Sequence, residues 1–569
     1  MNTLFLVAAT VAAFIFGYRF FAKLLALEIF RLDTNYSTRA QSHPDGQDYV
    51  PTHRHLLLGH HIAAVTGISA FAAPIAALDW GWIPAFLWIT IGSTVAAGTY
   101  AVGSFWLSSR FPDELGRLAR NLIGLRACAV VRLLSIAMLS VVVAATAGFS
   151  AALFTTFPAA VLPSAAVVVG AWFFGSYLHG RAQSQLLPAA AVSLVALLLF
   201  TAWFGDIPIS LSGQLTINLG DRIRLAIDPV IVWIVLLLVY AFVSARLPVW
   251  KLARPRGFLV AMMAGVMLLF FFAALIVQHP TIDAPQFHSP ASGTRALPWL
   301  FLTVGTGALA GWHLLIVRGV TGRELQREPD ARYVGYGVAV VQGLIALSAV
   351  VLAAAAFGDR GTWFAGAGAL DGADFPRAAS FYVDRYARLV AVLGLEPAVV
   401  GPFAATVLAG LSLAVLEAAV RALMNGLIDI APPPALPGRR DGRRVRLWLV
   451  VLGGAALALH DGHGLGGVTA WPLLAVASLW FAAAGFALMA LALRGARQPA
   501  PVPLALAAIV AAMALWSTVV QLWDWWHAEN WLAFFVGAVI AILAASLLCE
   551  AAFAARRSPP ATPEMTRET

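Results

Sequence analysis

The sequence predicts an all-α polytopic membrane protein of about fifteen transmembrane helices, and three observations support this fold class. Of the 569 residues, 60% are hydrophobic and only 11% are charged, whereas a soluble globular protein has about 25% charged residues. Apolar runs long enough to cross a bilayer recur along the whole chain. The basic residues collect in alternate connections between these runs. A soluble chain of this composition would lack a polar surface, so the soluble classes are excluded.

The first apolar run begins close to the N-terminus and covers 3–28. No basic residue precedes its apolar part, and the run is longer than the roughly 7–15 residues of a signal-peptide core. Arg19 and Lys23 follow the apolar part instead. We therefore interpret it as a retained span with the N-terminus outside.

The other spans follow from the requirement for roughly 20 mostly apolar residues. They are expected near 55–78, 82–108, 128–150, 161–178, 186–205, 228–248, 258–277, 297–317, 333–357, 398–423, 446–460, 469–493, 503–523 and 531–555. The runs at 161–178 and 446–460 are the short ones.

The connections between these spans alternate in charge. One set holds 26 of the 37 basic residues, at 30–54, 109–127, 179–185, 245–257, 318–332, 424–446, 494–501 and 556–569, and the opposite set holds 7. The positive-inside rule places the basic set in the cytoplasm. The net charge of +9 therefore reflects membrane topology rather than a nucleic-acid partner. The expected location is the cytoplasmic (inner) membrane, with the C-terminus in the cytoplasm.

Three regions are predicted along the chain: an N-terminal span and cytoplasmic linker over 1–54, a transmembrane core over 55–555, and a disordered cytoplasmic tail over 556–569. Two outside loops are long, 206–227 and 358–397. The second contains FPRAASFYVDRYARL, which predicts an amphipathic helix. This helix is either a lid over a pathway or a solvated helix at the membrane interface.

Four segments carry a family resemblance. DGQDYVPTHRHLLLGHHIAAVTG begins at Asp45, LPVWKLARPRGFL at Leu247, GALAGWHLLIVRGVTGREL at Gly307 with YVGYG after it, and GLGGVTAWPLLAVA at Gly464. In order and spacing these segments resemble the signature elements of the carbon starvation protein A family. The resemblance implies a membrane transporter with a core of two inverted five-helix repeats, of the amino acid–polyamine–organocation type. It also implies uptake of peptides or pyruvate, with proton coupling proposed for the pyruvate carriers.

The run LLLGHHIAAVTGISAFAAP, 56–74, combines bilayer hydropathy with residues that weaken a helix. Backbone in a bilayer leaves the helical pattern only where protein or a wet cavity surrounds it, and transporters bind substrate at such breaks. A second such run, FLTVGTGALAGWHLLI, contains Gly307, Gly311 and His313. The alternative is that these small residues only permit close helix packing. We expect Gly67→Val to abolish transport by blocking a close backbone approach.

The chain departs from the family pattern at several intramembrane positions. Tyr100 and Ala101 replace a Gln-Asp pair, Gln342 replaces an acidic residue, and Ser478-Leu479 replace Asn-Gln. Intramembrane carboxylates are the usual proton-relay groups, so proton coupling is in doubt. The candidate substrate-binding residues are Gly59, His60, His61, Thr66, Gly67, Ser69, Tyr100, Gly307, Gly311, His313 and Gln342.

Two charged residues remain within the core span at 398–423. Glu417 and Arg421 are four residues apart and share one helix face. They either couple and gate the pathway together or form a structural pair near the cytoplasmic end, because a buried charge requires a neutralising partner.

The sequence favours a non-enzymatic secondary transporter for a small carboxylate such as pyruvate, or a short peptide, acting by alternating access without a cofactor. Its expected partners are a small-molecule substrate and the lipid bilayer. One alternative is a degenerate transporter scaffold that serves as a membrane subunit of a partner complex. A less favoured one is a redox protein with haem between His60 or His61 and His313. A zinc site at His460 and His463 is a further minor alternative.

Overall fold

The computed structural model describes residues 2–67, 69–112, 114–211, 215–218, 224–289, 310–355, 375–430, 441–464 and 466–557. Within these residues, 12 helices are long and apolar enough to cross a membrane. A further pair of shorter helices forms a thirteenth span, bent by 52° at a break. The protein is therefore a helical membrane protein, and the predicted fold class is confirmed.

In chain order the helices are α1 (Thr3–Ile29), α2 (Arg39–Ser42), α3 (Arg54–Val65), α4 (Ser69–Trp80), α5 (Trp82–Arg110), α6 (Leu115–Leu122), α7 (Leu125–Thr156), α8 (Pro158–Leu178), α9 (Gln183–Phe204), α10 (Pro229–Arg246), α11 (Ala253–Gln278), α12 (Trp312–Gly319), α13 (Arg332–Ala354), α14 (Phe375–Val390), α15 (Pro397–Ile430), α16 (Asp441–Leu459), α17 (Gly466–Thr469), α18 (Trp471–Gly495), α19 (Pro501–His527) and α20 (Trp531–Arg556). A 3₁₀ turn, Thr321–Glu324, lies between α12 and α13. Between α9 and α10, strands β1 (Leu215–Asn218) and β2 (Arg224–Ile227) pair antiparallel, with Leu215 opposite Ile227.

Thirteen of the fifteen predicted spans coincide with helices of membrane-crossing length, the pair α3 and α4 taking the place of 55–78. Most of the predicted span at 297–317 lies outside the described residues. The predicted span at 446–460 corresponds to α16, whose apolar part runs only from 447 to 459. That length is shorter than the roughly 20 residues of a membrane crossing.

The most buried spans are α13, α15 and α18, whereas α1, α9 and α20 keep most of their apolar surface exposed. The broken pair lies against the buried group: α3 packs on α11 and α15, and α4 packs on α13 and α14. Two glycines permit the close contact between α3 and α11, because a side chain at either position would crowd the other helix. A Cβ at Gly59 would lie 2.6 Å from Phe258 Cδ2, and one at Gly257 would lie 3.0 Å from His60 Cδ2. The sequence thus places its broken helix at the centre of the bundle.

Three spans contain π-helical turns that converge on one tyrosine. The turns are Gly17–Phe21 in α1, Gly92–Ala97 in α5 and Arg332–Tyr336 in α13. The Tyr336 hydroxyl donates a hydrogen bond to the Thr94 carbonyl at 2.8 Å. A Cβ at Gly98 would lie 2.4 Å from the Tyr336 ring, so only glycine fits at that position.

The amphipathic helix predicted in the second outside loop is present as α14, and its apolar face packs inward. Tyr382 and Tyr386 are fully buried. The Tyr386 hydroxyl donates to the Met267 carbonyl at 2.9 Å, and the Tyr382 ring lies 5.0 Å from the Phe71 ring of α4. Asp384 and Arg388 form a 3.0 Å ion pair on the exposed face. Aromatic packing therefore fixes the apolar face of α14 against the broken span, while its polar face is exposed.

Candidate functional site

The predicted helix break lies between α3 and α4. Thr66 ends α3 with backbone angles of φ −89° and ψ 78°, outside the helical region. Its N–H still bonds the Ile62 carbonyl at 2.9 Å, but the Val65 carbonyl receives a side chain instead, Gln342 Nε2 at 2.9 Å. A polar side chain from α13 thus satisfies a backbone group that the break sets free, as buried backbone requires.

Two polar atoms beside the break have no hydrogen-bond partner among the described residues: Thr66 Oγ1 and His313 Nε2. The His313 ring also reaches the Val65 carbonyl. A cavity of ≈ 20 Å³ adjoins the break, and Gly67, Ser69 and Trp312 contribute to its lining. A cavity holds one water from roughly 10–15 Å³ upward. We call Val65, Thr66, Gly67, Ser69, His313 and Gln342 the break site.

Gly67 and Gly311 differ in what surrounds them. A Cβ at Gly67 would lie 3.5 Å from Val415 Cγ2, an ordinary contact, so the expected close backbone approach at Gly67 is not present. A Cβ at Gly311 would lie 2.3 Å from the Ser478 carbonyl oxygen and 2.7 Å from the Ala482 nitrogen. The close backbone approach belongs to Gly311, where the chain crosses α18. Gly307 lies outside the described residues.

Tyr100 and Ser478, two of the residues that depart from the family pattern, hold Gly311 from opposite sides. The Tyr100 hydroxyl donates to the Gly311 carbonyl at 2.9 Å, and the Gly311 N–H donates to Ser478 Oγ at 2.8 Å. All three groups are buried. These hydrogen bonds form a neutral, satisfied network that joins α5, α12 and α18.

The three buried histidines have separate partners. His60 Nδ1 lies 2.8 Å from Glu324 Oε1, at ion-pair distance but without regular hydrogen-bond geometry. His61 Nδ1 lies 3.0 Å from the Thr321 hydroxyl. This separation follows from the roughly 100° between neighbours on a helix. Each ring is engaged by the 3₁₀ turn, an arrangement that does not favour a shared haem with His313.

The expectation that Glu417 and Arg421 neutralise each other is wrong. Glu417 Oε2 lies 2.7 Å from Arg256 Nη2, and Glu417 Oε1 accepts a hydrogen bond from the Tyr240 hydroxyl. Arg421 Nη1 instead lies 2.8 Å from Asp48 Oδ1. Each charge takes its partner from outside α15: Glu417 pairs with Arg256 of α11, and Arg421 pairs with Asp48 of the segment that precedes α3.

Asp48 belongs to the DGQDYVPT segment, which binds the ends of several helices at one side of the bundle. Burial alone would raise the pKa of this carboxyl, but Arg421 and Arg443 together lower it to about 2. Four residues later, Thr52 Oγ1 accepts a 2.5 Å hydrogen bond from Arg254 Nη1 and lies 3.3 Å from Glu324 Oε2. The segment therefore links α11, α15 and the 3₁₀ turn at one end of the bundle.

These ion pairs form one buried group, which we call the charged cluster: Asp48, His60, Arg254, Arg256, Glu324, Glu417 and Arg421. His60, Glu417 and Arg421 also share the lining of a cavity of ≈ 10 Å³. Sequence analysis missed Asp48, Arg254, Arg256 and Glu324 as partners. All four lie inside the quoted family segments, which was the available signal.

Within the described residues no group of three His, Cys, Asp or Glu side chains is arranged to hold a metal ion. In the loop after α16, Asp461 Oδ1 accepts the backbone N–H groups of His463 at 3.1 Å and Gly464 at 2.9 Å. The His460 ring nitrogen lies 2.9 Å from the Leu457 carbonyl. These contacts describe a turn rather than a zinc site.

Comparisons with known proteins agree with the sequence motifs. The profile of the family "Carbon starvation protein CstA" matches residues 2–390. The peptide transporter CstA of Mycobacterium tuberculosis strain H37Rv is 29% identical over 376 residues, which are 62% of this chain and 47% of the relative. The pyruvate/proton symporter BtsT of Escherichia coli K12 is 28% identical over 388 residues, 64% of this chain and 50% of the relative. The Escherichia coli K12 peptide transporter CstA is 28% identical over 390 residues, 64% of this chain and 52% of the relative.

The chain thus spans about half the length of the curated relatives that it matches. A likeness in structure was found to MhsT in complex with L-phenylalanine, with a TM-score of 0.47 and 12% sequence identity, over 87% of this chain and 99% of MhsT.

Proposed function

Because the chain belongs to the carbon starvation protein CstA family, we propose that it is a secondary transporter of the cytoplasmic membrane. Relatives in this family are named as peptide transporters and as a pyruvate/proton symporter. The proposed substrate is accordingly a small carboxylate such as pyruvate, or a short peptide, moved by alternating access. The proposed transport core covers 55–555, between the N-terminal region of residues 1–54 and the tail of residues 556–569.

The observation that carries this proposal is the buried helix break. Gln342 Nε2 donates a hydrogen bond to the Val65 carbonyl, which the break leaves without its helical partner. Thr66 Oγ1 and His313 Nε2 have no hydrogen-bond partner among the described residues. Buried polar groups without partners are costly, so they are retained where a ligand completes them. The break site is the proposed substrate site, and Tyr100 and Gly311 position its α12 side.

The substrate does not fit into the break site in the present conformation. The ≈ 20 Å³ cavity beside Gly67 holds about one water, so pyruvate and dipeptides require the helices around it to separate. α14 covers the break through Tyr382 and Phe71, and the charged cluster closes the other end. Movement of these two closures is the proposed alternating access.

The proposed orientation places the N-terminus outside and the C-terminus in the cytoplasm, supported by the 26 to 7 contrast in basic residues. With this orientation the charged cluster lies at the cytoplasmic end. Glu417 and Arg421 then act as gating residues through different partners, Arg256 and Asp48 respectively.

Uptake of labelled pyruvate and of labelled dipeptides by the full chain in proteoliposomes tests the proposal, with and without a pH gradient. The informative variant is Thr66→Val. The Thr66 hydroxyl has no partner among the described residues, so its removal leaves stability unchanged but removes a substrate contact. We expect the KM for uptake to rise by roughly tenfold, the effect of losing one hydrogen bond.

The matched control is Thr201→Val on the peripheral helix α9, where the hydroxyl bonds the Leu197 carbonyl of its own helix at 2.8 Å. This variant should transport as the parent does. An unchanged KM in Thr66→Val would show that the break site does not bind the substrate. Failure of the parent chain to take up any of these substrates would favour the scaffold alternative.

A further inference from the structure

We propose that His60 and Glu324 form a proton-binding pair that makes transport respond to a pH gradient, although the family's core-span carboxylates are absent from this chain. This inference rests on the proposed function. It assigns the coupling proton to the cytoplasmic end of α3 instead of the middle of the core spans. The starting observation is the 2.8 Å separation of His60 Nδ1 and Glu324 Oε1, with side-chain exposures of 4% and 0%.

The charges around the pair assign the added proton to His60. Each carboxylate of the charged cluster lies beside an arginine: Glu324 with Arg254 at 3.5 Å, Glu417 with Arg256 at 2.7 Å and Asp48 with Arg421 at 2.8 Å. Histidine is the side chain whose charge ordinarily changes between about pH 5 and pH 8. A proton bound at His60 therefore adds a positive charge to a cluster in which every carboxylate already has an arginine partner.

Three of the helices around His60 contribute named groups to this environment. On α3 itself, the neighbouring His61 is held by Thr321. On α11, Gly257 lies directly against the His60 ring, beside Arg254 and Arg256. On α15, Glu417 and Arg421 face His60 across the ≈ 10 Å³ cavity, which is large enough for about one water. His60 thus lies between two buried carboxylates, one in direct contact and one across a water-sized space.

A route to the proton is present on the cytoplasmic side. Thr52 and Arg254, which contact Glu324, also line a cavity of ≈ 270 Å³. The same cavity is lined by Arg181 and Gln183, which are exposed. Water in this cavity would come within one hydrogen-bonded step of the pair. Protonation from the cytoplasm therefore requires no opening of the core.

The pair also connects the proton to the substrate site, because His60 and the break lie on the same short helix. A protonated His60 is attracted to Glu324 and holds α3 against the 3₁₀ turn Thr321–Glu324, whereas neutral His60 lacks this attraction. Any motion of α3 that opens the break site moves His60 relative to Glu324. The proton and the substrate thus act on one element, which is the requirement for coupling between two sites.

The first test uses the full chain in proteoliposomes and external labelled pyruvate or a labelled dipeptide. It compares pH-gradient-driven uptake of the label with counterflow, in which vesicles loaded with the unlabelled substrate exchange it for the label in the absence of a gradient. Counterflow exchanges substrate for substrate and needs no net proton movement. In His60→Gln we expect counterflow to remain while the stimulation by the gradient falls to unity. Glu324→Gln, which keeps the side-chain size, provides a second variant with the same expectation.

The matched control is Glu328→Gln, which also removes a fully buried carboxylate. Glu328 Oε1 lies 2.6 Å from Arg110 Nε rather than beside a histidine, so its variant should keep the parent's stimulation ratio. A gradient response in His60→Gln equal to the parent's would overturn the inference. So would parent uptake that ignores the gradient, which would leave the proposed function intact.

A second measurement does not depend on transport. The difference in melting temperature between the parent and His60→Gln should vary with pH between about 5 and 8, because only the parent binds the proton at this pair. For Glu328→Gln the corresponding difference should stay constant. If the parent transports nothing but the His60 difference varies, the proposed function fails and the proton site stands. A constant difference for His60→Gln refutes the proton site.

Discussion

The break site and the charged cluster each include a residue of one short helix, α3, and they handle buried polarity in opposite ways. At the break, neutral groups meet the backbone, as when Gln342 Nε2 bonds the Val65 carbonyl, and some polar atoms have no partner among the described residues. In the cluster, full charges meet each other, as in Arg256 with Glu417. The comparison shows that the charged cluster is held by ion pairs, whereas the carbonyl freed at the break is met by a neutral amide.

The largest effect is expected where a buried pair loses one partner. Arg256→Ala leaves the Glu417 carboxylate in a site where the two side chains are 1% and 4% exposed. Removing one partner of a buried ion pair costs about 3–5 kcal/mol. Chemical unfolding of the detergent-solubilised protein measures this loss.

The control for Arg256→Ala is Arg388→Ala, since Arg388 pairs with Asp384 at 3.0 Å on the exposed face of α14. An exposed pair contributes about 0–1 kcal/mol. Equal losses in the two variants would show that the charged cluster is not buried in solution, and the contrast with the break site would disappear.

The next effect concerns the pH dependence of the cluster. Arg421 and Arg443 lower the pKa of Asp48 from 3.8 to about 2. Because the folded-state pKa is depressed, the stabilisation of about 2 kcal/mol is present above pH 4 and is lost as the pH falls towards 2. Unfolding free energies measured between about pH 2 and pH 7 should show this loss.

Asp48→Asn should remove both the stabilisation and this part of the acid dependence. A variant that unfolds with the parent's pH profile would mean that the DGQDYVPT segment does not hold the charged cluster. In that case ion pairing would contribute little to the stability of the cluster, as it contributes little at the break site.

A smaller effect is expected at the break site. Gln342→Leu keeps approximate size but leaves the Val65 carbonyl without the 2.9 Å bond from Nε2. An unsatisfied buried carbonyl costs about 1–3 kcal/mol. The exposed Gln183 offers a control, and Gln183→Leu should change unfolding by less than about 0.5 kcal/mol. If Gln342→Leu changes the unfolding free energy as little as this control does, water must replace the amide at the Val65 carbonyl. The break would then be more hydrated than the charged cluster.

The smallest effect is expected for Gly67→Ala. The added Cβ would meet Val415 Cγ2 at 3.5 Å, so stability should change by less than about 0.5 kcal/mol. Gly311→Ala is the matched variant, because its Cβ would lie 2.3 Å from the Ser478 carbonyl oxygen. Such overpacking costs about 1–3 kcal/mol. If thermal unfolding showed a larger loss for Gly67→Ala than for Gly311→Ala, the close backbone approach would lie at Gly67. That result would contradict the described geometry.

Much of the fold could be predicted from hydropathy, because a bilayer forces length and composition on each span. The break at Thr66–Gly67 was also predictable, since residues that weaken a helix stand out in an apolar run. The aromatic packing of α14 could not be predicted, because an amphipathic pattern shows that one face is apolar but not what covers it.

The partners in the charged cluster were beyond sequence reasoning for a different physical reason. Helical periodicity relates only residues three or four apart, and it led to the expected pair Glu417 and Arg421. The observed bond from Arg421 to Asp48 joins positions 373 apart in sequence. Long-range pairing depends on how helices cross, which a local pattern does not encode.

The wide turns that meet at Tyr336 have a consequence for the faces of their spans. A turn that contains one extra residue rotates everything beyond it by about 100° relative to an uninterrupted α-helix. In α5 this shift falls between the outer half and Tyr100, and in α13 it precedes Gln342. A regular helical wheel drawn through either span would therefore misplace the polar side chains beyond the turn, and Tyr100 and Gln342, which are both buried, are among them.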